Sequence, residues 1–252
     1  MRILTRARDL SRRKARDRDG LFVAEGVRAV EELLASPLTI DGVLCAPQLM
    51  DAPRGARLRA DLEVRGLTVS DVTEREFASA AATESPQGIL AIARVPGRSL
   101  ADLVDRTPLR LLVIDAVQDP GNVGTLVRTA HGLGLDGSVA LPGTVDLWNA
   151  KVVRSAMGSL FRHHALSASL EELSAFLTRA SCPLWCADVA GAPLEDTPAP
   201  PRLAIAVGNE GAGLTPAVRA MASRFVALPM RGDAESLNVA VAAGILLWVL
   251  QP

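Results

Sequence analysis

Three stretches in the second half of the chain each run from an apolar segment into a loop dense in Gly, Asn, Asp or Glu. The first is Ile114-Asp-Ala-Val-Gln-Asp-Pro-Gly-Asn-Val-Gly-Thr-Leu-Val-Arg-Thr-Ala130, the second Leu203-Ala-Ile-Ala-Val-Gly-Asn-Glu-Gly-Ala-Gly-Leu-Thr-Pro-Ala-Val218. The third is Phe225-Val-Ala-Leu-Pro-Met-Arg-Gly-Asp-Ala-Glu-Ser-Leu-Asn-Val-Ala-Val-Ala-Ala-Gly244. Their polar side chains, Asn122, Arg128, Glu210, Ser236 and Asn238, supply hydrogen-bond donors, acceptors and one fixed positive charge. Read singly, each has a structural use. Asn122, Ser236 and Asn238 can cap a helix, Arg128 sits one to two turns into a helix where a surface ion pair is ordinary, and Thr215-Pro216 opens a helix. Gly208, Gly211 and Gly213 run G-x-x-G-x-G, which is not the dinucleotide-binding spacing.

Loops of this kind bind ligands at the carboxyl ends of strands in open α/β sheets. Leu109 to Val117 is a continuous apolar run of the kind found in parallel sheets covered on both faces, and Ile205 to Val207 and Phe225 to Leu228 read the same way. Leu237 to Leu250 reads as a buried helix, too short to span a bilayer. Ahead of Val95, Leu21-Phe-Val-Ala-Glu-Gly leads to helical spacing at Val27, Val30, Leu33 and Leu34. Strand-like segments follow at Gly42-Val-Leu-Cys, Gly66-Leu-Thr-Val and Gly88-Ile-Leu-Ala-Ile-Ala, so the fold class is α/β throughout. Residues 1–95 form a small α/β domain, 96–108, with Pro96, Gly97 and Pro108, a linker, and 109–252 a larger α/β domain. Ala192 to Arg202, with four prolines, reads as a surface loop.

With 252 residues and 49% hydrophobic content the chain can bury a real core. Its net charge of −1 means that any nucleic-acid role needs local basic clusters. Arg2, Arg6, Arg8, Arg12, Arg13, Lys14, Arg16 and Arg18 supply one, either to neutralise phosphates or as a solvated helix face. Three cysteines, Cys45, Cys182 and Cys186, suit a reducing compartment rather than a disulfide framework. Cys182 and Cys186 lack a second ligand pair, and no metal is expected. The ordinary reading of His131, His163 and His164 is surface or RNA-facing. No secretory segment is recognised at the start, which leads to the expectation of a cytoplasmic protein.

Taken in order, D-x-x-Q-D-P-G-N-V-G-T-x-x-R-T-A, G-N-E-G-x-G-L and L-P-M-x-G-x-x-E-S-L-N-V-A-V-A-A-G resemble the three motifs of the SpoU family of RNA methyltransferases. Phe22-Val-Ala-Glu-Gly-Val-Arg and Ser85-Pro-Gln-Gly-Ile-Leu-Ala are similar to the RNA-substrate-binding domain that precedes that catalytic domain. The resemblance implies a SPOUT fold with a carboxyl-terminal trefoil knot, a homodimer, and S-adenosylmethionine as methyl donor to a ribose 2′-hydroxyl. The RNA would be ribosomal first and transfer RNA second, with a non-catalytic RNA-binding protein as the other reading. It maps cofactor contacts onto Gly208, Asn209, Gly213, Leu228, Met230 and Leu237. Arg128 would complete the partner subunit's site, with Asn122, Glu210, Ser236 and Asn238 as the remaining polar positions. Glu235 either joins them or balances Arg231. Lys151-Val-Val-Arg-Ser-Ala-Met-Gly-Ser-Leu-Phe matches a further family segment with small residues permuted around Ser155 and Ala156.

Overall fold

A computed structural model of the chain describes residues 2–194, 198–229 and 236–250. It divides into two compact units. One holds the chain up to Gly97 together with Trp148–Arg162, the other Arg98–Leu147 and the chain from His163 onward.

The first unit opens with α1 (Arg2–Asp9) and α2 (Arg13–Asp19), then β1 (Leu21–Glu25), α3 (Val27–Leu34), β2 (Ile40–Cys45), α4 (Pro53–Val64), β3 (Val69–Asp71), α5 (Glu74–Ala78) and β4 (Ile89–Arg94). The four strands lie in the order β1-β4-β2-β3, with β4 antiparallel to both neighbours and β3 parallel to β2. All five residues of β1 are buried, because the strand is covered on both faces. Leu21 and Val23 pack with Leu4, Leu10, Phe77 and Leu90, while Phe22 meets the ring of Trp148 at 4.5 Å and that of Phe161 at 5.7 Å.

The basic cluster of the opening helices is largely spoken for inside this unit. Arg16 is buried and donates to the carbonyls of Leu10 and Ser11 at 2.8 and 2.9 Å, closing the turn between α1 and α2. Arg6 pairs with Asp41, Arg12 with Asp9, Arg13 with Asp17 and Arg18 with Asp19, and Arg8 donates to Ser79. Exposed pairs of this kind contribute little stability, but they cancel much of the charge that the sequence concentrates here.

In the second unit β5 (Leu109–Ile114) leads to α6 (Pro120–Gly132) and β6 (Gly137–Ala140). The chain then contributes α7 (Ala150–Ser155) and α8 (Ser159–Arg162) to the first unit. It resumes the second with β7 (Ala165–Ser167), α9 (Leu170–Arg179), β8 (Leu184–Pro193), β9 (Arg202–Val207), α10 (Pro216–Met221), β10 (Arg224–Ala227) and α11 (Val239–Val249). Six parallel strands lie in the order β10-β8-β9-β5-β6-β7. The fold is thus α/β, as the motif order implies. β5 is fully buried, as its apolar run predicts, yet it carries Arg110. That guanidinium is accommodated because it donates to three carbonyls, those of Leu109, Pro201 and, at 2.8 Å, Leu250 at the end of α11.

Four readings from the sequence need correction. β8 runs on to Pro193, so the proline-rich loop begins later than Ala192. α11 is only half buried: Val239, Ala243, Leu246 and Leu247 face the core, while Val241, Ile245 and Trp248 are 52%, 43% and 62% exposed. Its apolar character on every side disguised the open face. His163 is buried rather than surface-facing and shares a 2.9 Å hydrogen bond with Ser138. Burial pushes its imidazole down to about 3, with smaller contributions from His131, Arg98 and His164. Asn122 does not cap its helix, a role taken by Asp119, whose carboxylate accepts from the Asn122 amide at 2.8 Å. No helix among the described residues is long and apolar enough to cross a membrane.

Candidate active site

A cavity of about 280 Å³ opens at the carboxyl ends of β9 and β10, beside the middle of β8, and is closed by one face of α11. This is where an open parallel sheet presents loops rather than side-chain layers. Val207, Leu214, Val226 and Leu246 give it an apolar floor, and Asn209, Glu210 and Ser236 contribute polar groups.

The loop after β9 holds its shape through its own backbone. Asn209 and Gly213 exchange amide-to-carbonyl hydrogen bonds of 3.0 and 2.9 Å. The Asn209 side-chain oxygen accepts from the amides of Gly211 and Ala212, and its Nδ2 donates to the Ala116 carbonyl at 3.0 Å. A Cβ on Gly208 would lie 2.4 Å from the Gly213 carbonyl carbon, so only glycine fits, and Gly213 itself has φ +69°. Asp115, buried at the end of β5, accepts from the Thr215 amide at 2.6 Å and fixes where this loop hands over to α10. Thr215 caps that helix through the Val218 amide.

Residues from all three loops meet in a hydrogen-bonded chain beside the cavity. Asn122 Nδ2 donates to Glu210 Oε1 at 2.5 Å, and Asn238 Nδ2 donates to Asn122 Oδ1 at 3.0 Å. Asn238 Oδ1 in turn accepts from the Ala240 amide at 2.9 Å, so it caps α11 and reads the first loop at once. These bonds set the orientation of both amides and leave Glu210 Oε2 without a protein donor among the described residues.

Of the positions singled out in the sequence, Gly208, Asn209, Gly213, Leu228 and Leu237 line the cavity, as do Glu210 and Ser236. Asn122 and Asn238 stand behind Glu210. Arg128 does not line the cavity and is exposed on α6. Met230, Arg231 and Glu235 lie outside the described residues.

The sequence reading missed β8. Ala187, Asp188 and Val189 form one wall, and Leu184-Trp-Cys-Ala-Asp188 repeats the apolar-run-to-acid pattern of Leu111-Leu-Val-Ile-Asp115 that could have revealed it. Asp188 is held by Arg219, whose hydrogen bond keeps the carboxyl below its ordinary range. Arg219 also lies 4.7 Å from the Phe225 ring centroid. Burial pushes Cys182 and Cys186 up to about 11 and 12, so neither thiol is ionised at neutral pH.

Residues 110–248 match the model of the SpoU rRNA Methylase family, and residues 3–91 match the MRM3-like substrate binding domain. A Bacillus subtilis (strain 168) protein named 23S rRNA (guanosine(2553)-2'-O)-methyltransferase RlmP is 37% identical over 243 residues, which is 96% of this chain and 93% of that protein. The crystal structure of an AdoMet-bound rRNA methyltransferase from Sinorhizobium meliloti matches with a TM-score of 0.85 at 28% identity, covering 98% of this chain and 93% of that one. The SpoU methyltransferase AviRb from Streptomyces viridochromogenes, in complex with the cofactor AdoMet, matches with a TM-score of 0.86 at 25% identity over 98% of this chain and 96% of that one. With three motifs gathered at one cavity and matches of this extent, the chain belongs to the SpoU rRNA methylase family and carries an MRM3-like substrate-binding domain ahead of the methylase domain.

Proposed function

We propose that this protein transfers a methyl group from S-adenosylmethionine to a ribose 2′-hydroxyl in structured RNA, ribosomal RNA in the first place. The observation that carries the reading is the chain Glu210–Asn122–Asn238, in which one polar residue from each motif is oriented by the next at the edge of a single cavity. The names of the Bacillus relative and of the two AdoMet-bound neighbours support it.

The residues fit the methyl donor. The apolar floor suits an adenine ring, and the carboxylates of Asp188 and Glu210 suit a ligand bearing positive charge. S-adenosylmethionine supplies a methyl group already activated by its sulfonium. The protein's task is to align a weakly nucleophilic hydroxyl and handle its proton. Glu210, anchored through one oxygen, has the other available to a ribose hydroxyl, and Ser236 lies on the same wall. A guanidinium is a donor-only fixed charge, so the role of Arg128 is to orient the ribose and phosphate and stabilise developing alkoxide charge.

Arg128 acts from a partner subunit in this proposal, because it is exposed and stands outside the cavity of its own chain. A homodimer is supported by the apolar stripe Val241, Ile245 and Trp248 on α11, larger side chains than a solvated helix face carries. We assign residues 1–95 to RNA binding, 96–108 to the linker and 109–252 to a knotted methyltransferase domain. Supporting the knot, β9 lies between β8 and β5 while β10 flanks the other side of β8. The working compartment is the cytoplasm, where the RNA is.

Purified protein is expected to move tritiated methyl from S-adenosylmethionine to total RNA from a strain lacking it, with the label recovered as a 2′-O-methylnucleoside by mass analysis after digestion. Label on a base would replace the ribose reading, and no label in either naked RNA or ribosomal subunits would remove the methyltransferase reading.

A further inference from the structure

Three stretches that resemble the family, Phe22–Arg28, Ser85–Gly88 and Lys151–Gly158, have no part in the chemistry above, yet they converge. In the first unit they line a second cavity of about 280 Å³. Glu25 and Arg28 come from the end of β1 and the start of α3, Thr83, Ser85 and Gln87 from the loop before β4, and Arg154 from α7.

The walls are fixed by hydrogen bonds. Glu25 is buried, with one carboxylate oxygen accepting from the Ala82 amide at 2.6 Å and the other from the Thr83 hydroxyl. Gln87 Oε1 accepts from the Val27 amide at 2.9 Å, which clamps the same loop to the start of α3. Glu25 and Gln87 therefore build the cavity, and its cations are left over. Arg154 Nη1 is buried and has no acceptor among the described residues. Arg28 is exposed at the rim, and neither arginine has a carboxylate partner among the described residues. A buried charged donor is costly to leave unmade, so Arg154 favours an acceptor entering this cavity. α3 also starts without a side-chain cap. Beyond the Val27 amide, its next N–H groups precede the helical ladder and face the same end.

Two guanidinium groups beside uncapped amides suit an oxyanion with several acceptor atoms. The volume lies near the lower end of the ~300–1,000 Å³ typical of small-ligand pockets, room for one nucleotide and not for a helical segment. The geometry points to a binding site for a single phosphodiester group of the substrate RNA, with Arg154 at its floor and Arg28 at its rim. The inference rests on the RNA-modifying function above and adds where the strand is gripped. Such a grip sets the register of the RNA without reading its sequence.

The test is filter binding of labelled 23S rRNA to the full chain as salt is raised, alongside calorimetric binding of S-adenosylmethionine. Arg154→Gln and Arg28→Gln should each weaken RNA binding, by about tenfold and severalfold, and reduce the slope of log affinity against log salt by about 0.7–0.9 for each phosphate charge no longer neutralised. Arg57→Gln, an exposed arginine of the same unit outside the cavity, should leave the slope unchanged, and all three should bind S-adenosylmethionine as the wild type does. Arg28 is exposed, so its variant tests the site even if Arg154→Gln folds poorly. If the wild type binds and methylates RNA while both cavity variants keep its slope, the phosphate site is wrong and the function stands. If the wild type neither binds nor methylates RNA, both fall.

Discussion

Each unit of this protein holds a cavity of about 280 Å³, and the two linings are opposites. The one at the strand ends has an apolar floor edged by Asp188, Glu210 and Ser236, suited to a flat, positively charged small molecule. The one in the first unit is walled by Glu25 and Thr83 and keeps two arginines without a carboxylate partner among the described residues, suited to phosphate. On the proposals above, the methyl donor is held in one cavity and the methyl acceptor is gripped in the other, so damage to one should spare the other.

Arg128→Ala bears hardest on this division, because Arg128 belongs to neither cavity of its own chain. Turnover should fall by about 10²–10³, the loss typical of removing one preorganised charge or donor. The affinity for S-adenosylmethionine measured by calorimetry should be unchanged. Normal turnover would take Arg128 out of the mechanism. Next is Trp248→Asp on the open face of α11. Loss of an aromatic anchor at an interface costs about 2 kcal/mol or more, so the proposed homodimer, followed by sedimentation, should dissociate at least tenfold more readily, and methylation should fall with it. Gly208→Ala forces the loop after β9 apart at a cost of about 1–3 kcal/mol. It should weaken S-adenosylmethionine binding at least severalfold while RNA affinity holds, the mirror image of Arg154→Gln.

The last effect is on stability and leaves turnover at neutral pH untouched. His163 has a folded pKa of about 3 against an ordinary 6.5, so below 6.5 the unfolded chain binds a proton that the folded chain refuses. Stability therefore falls by up to about 1.4 kcal/mol per pH unit as pH drops from 6.5, and this contribution to the loss ends near 3. His163→Asn should flatten that part of a denaturation series taken at several pH values; an unchanged acid limb would place the proton elsewhere.

The contrast between the cavities also explains what the sequence reveals. Ile114–Ala130, Leu203–Val218 and Phe225–Gly244 each carry the end of a parallel strand into the loop that follows it, so apolar run, glycine and polar residue follow one another within a few positions and can be read locally. Asp188 escaped because it lies inside β8, which runs on past it to Pro193, and not in a loop at the strand's end. The pairing of Asn122 with Glu210 joins positions 88 residues apart, and the choice between cap and site for Asn122 turned on Asp119, three residues earlier, which caps the helix through the Asn122 amide. The open face of α11 could not be read because hydrophobic residues on every side carry no periodicity. Glu25, Gln87 and Arg154 come from a strand end, a loop and a helix with no shared pattern, and only folding makes them neighbours.

The central claim is methyl transfer to a 2′-hydroxyl, and alkali tests it most directly, since hydrolysis of RNA requires that hydroxyl unmodified. 23S rRNA from a strain lacking the protein would be incubated with purified enzyme and labelled S-adenosylmethionine, then hydrolysed to completion in base. Label in an alkali-resistant dinucleotide is the predicted result; label only in mononucleotides would place the methyl on a base and contradict the account.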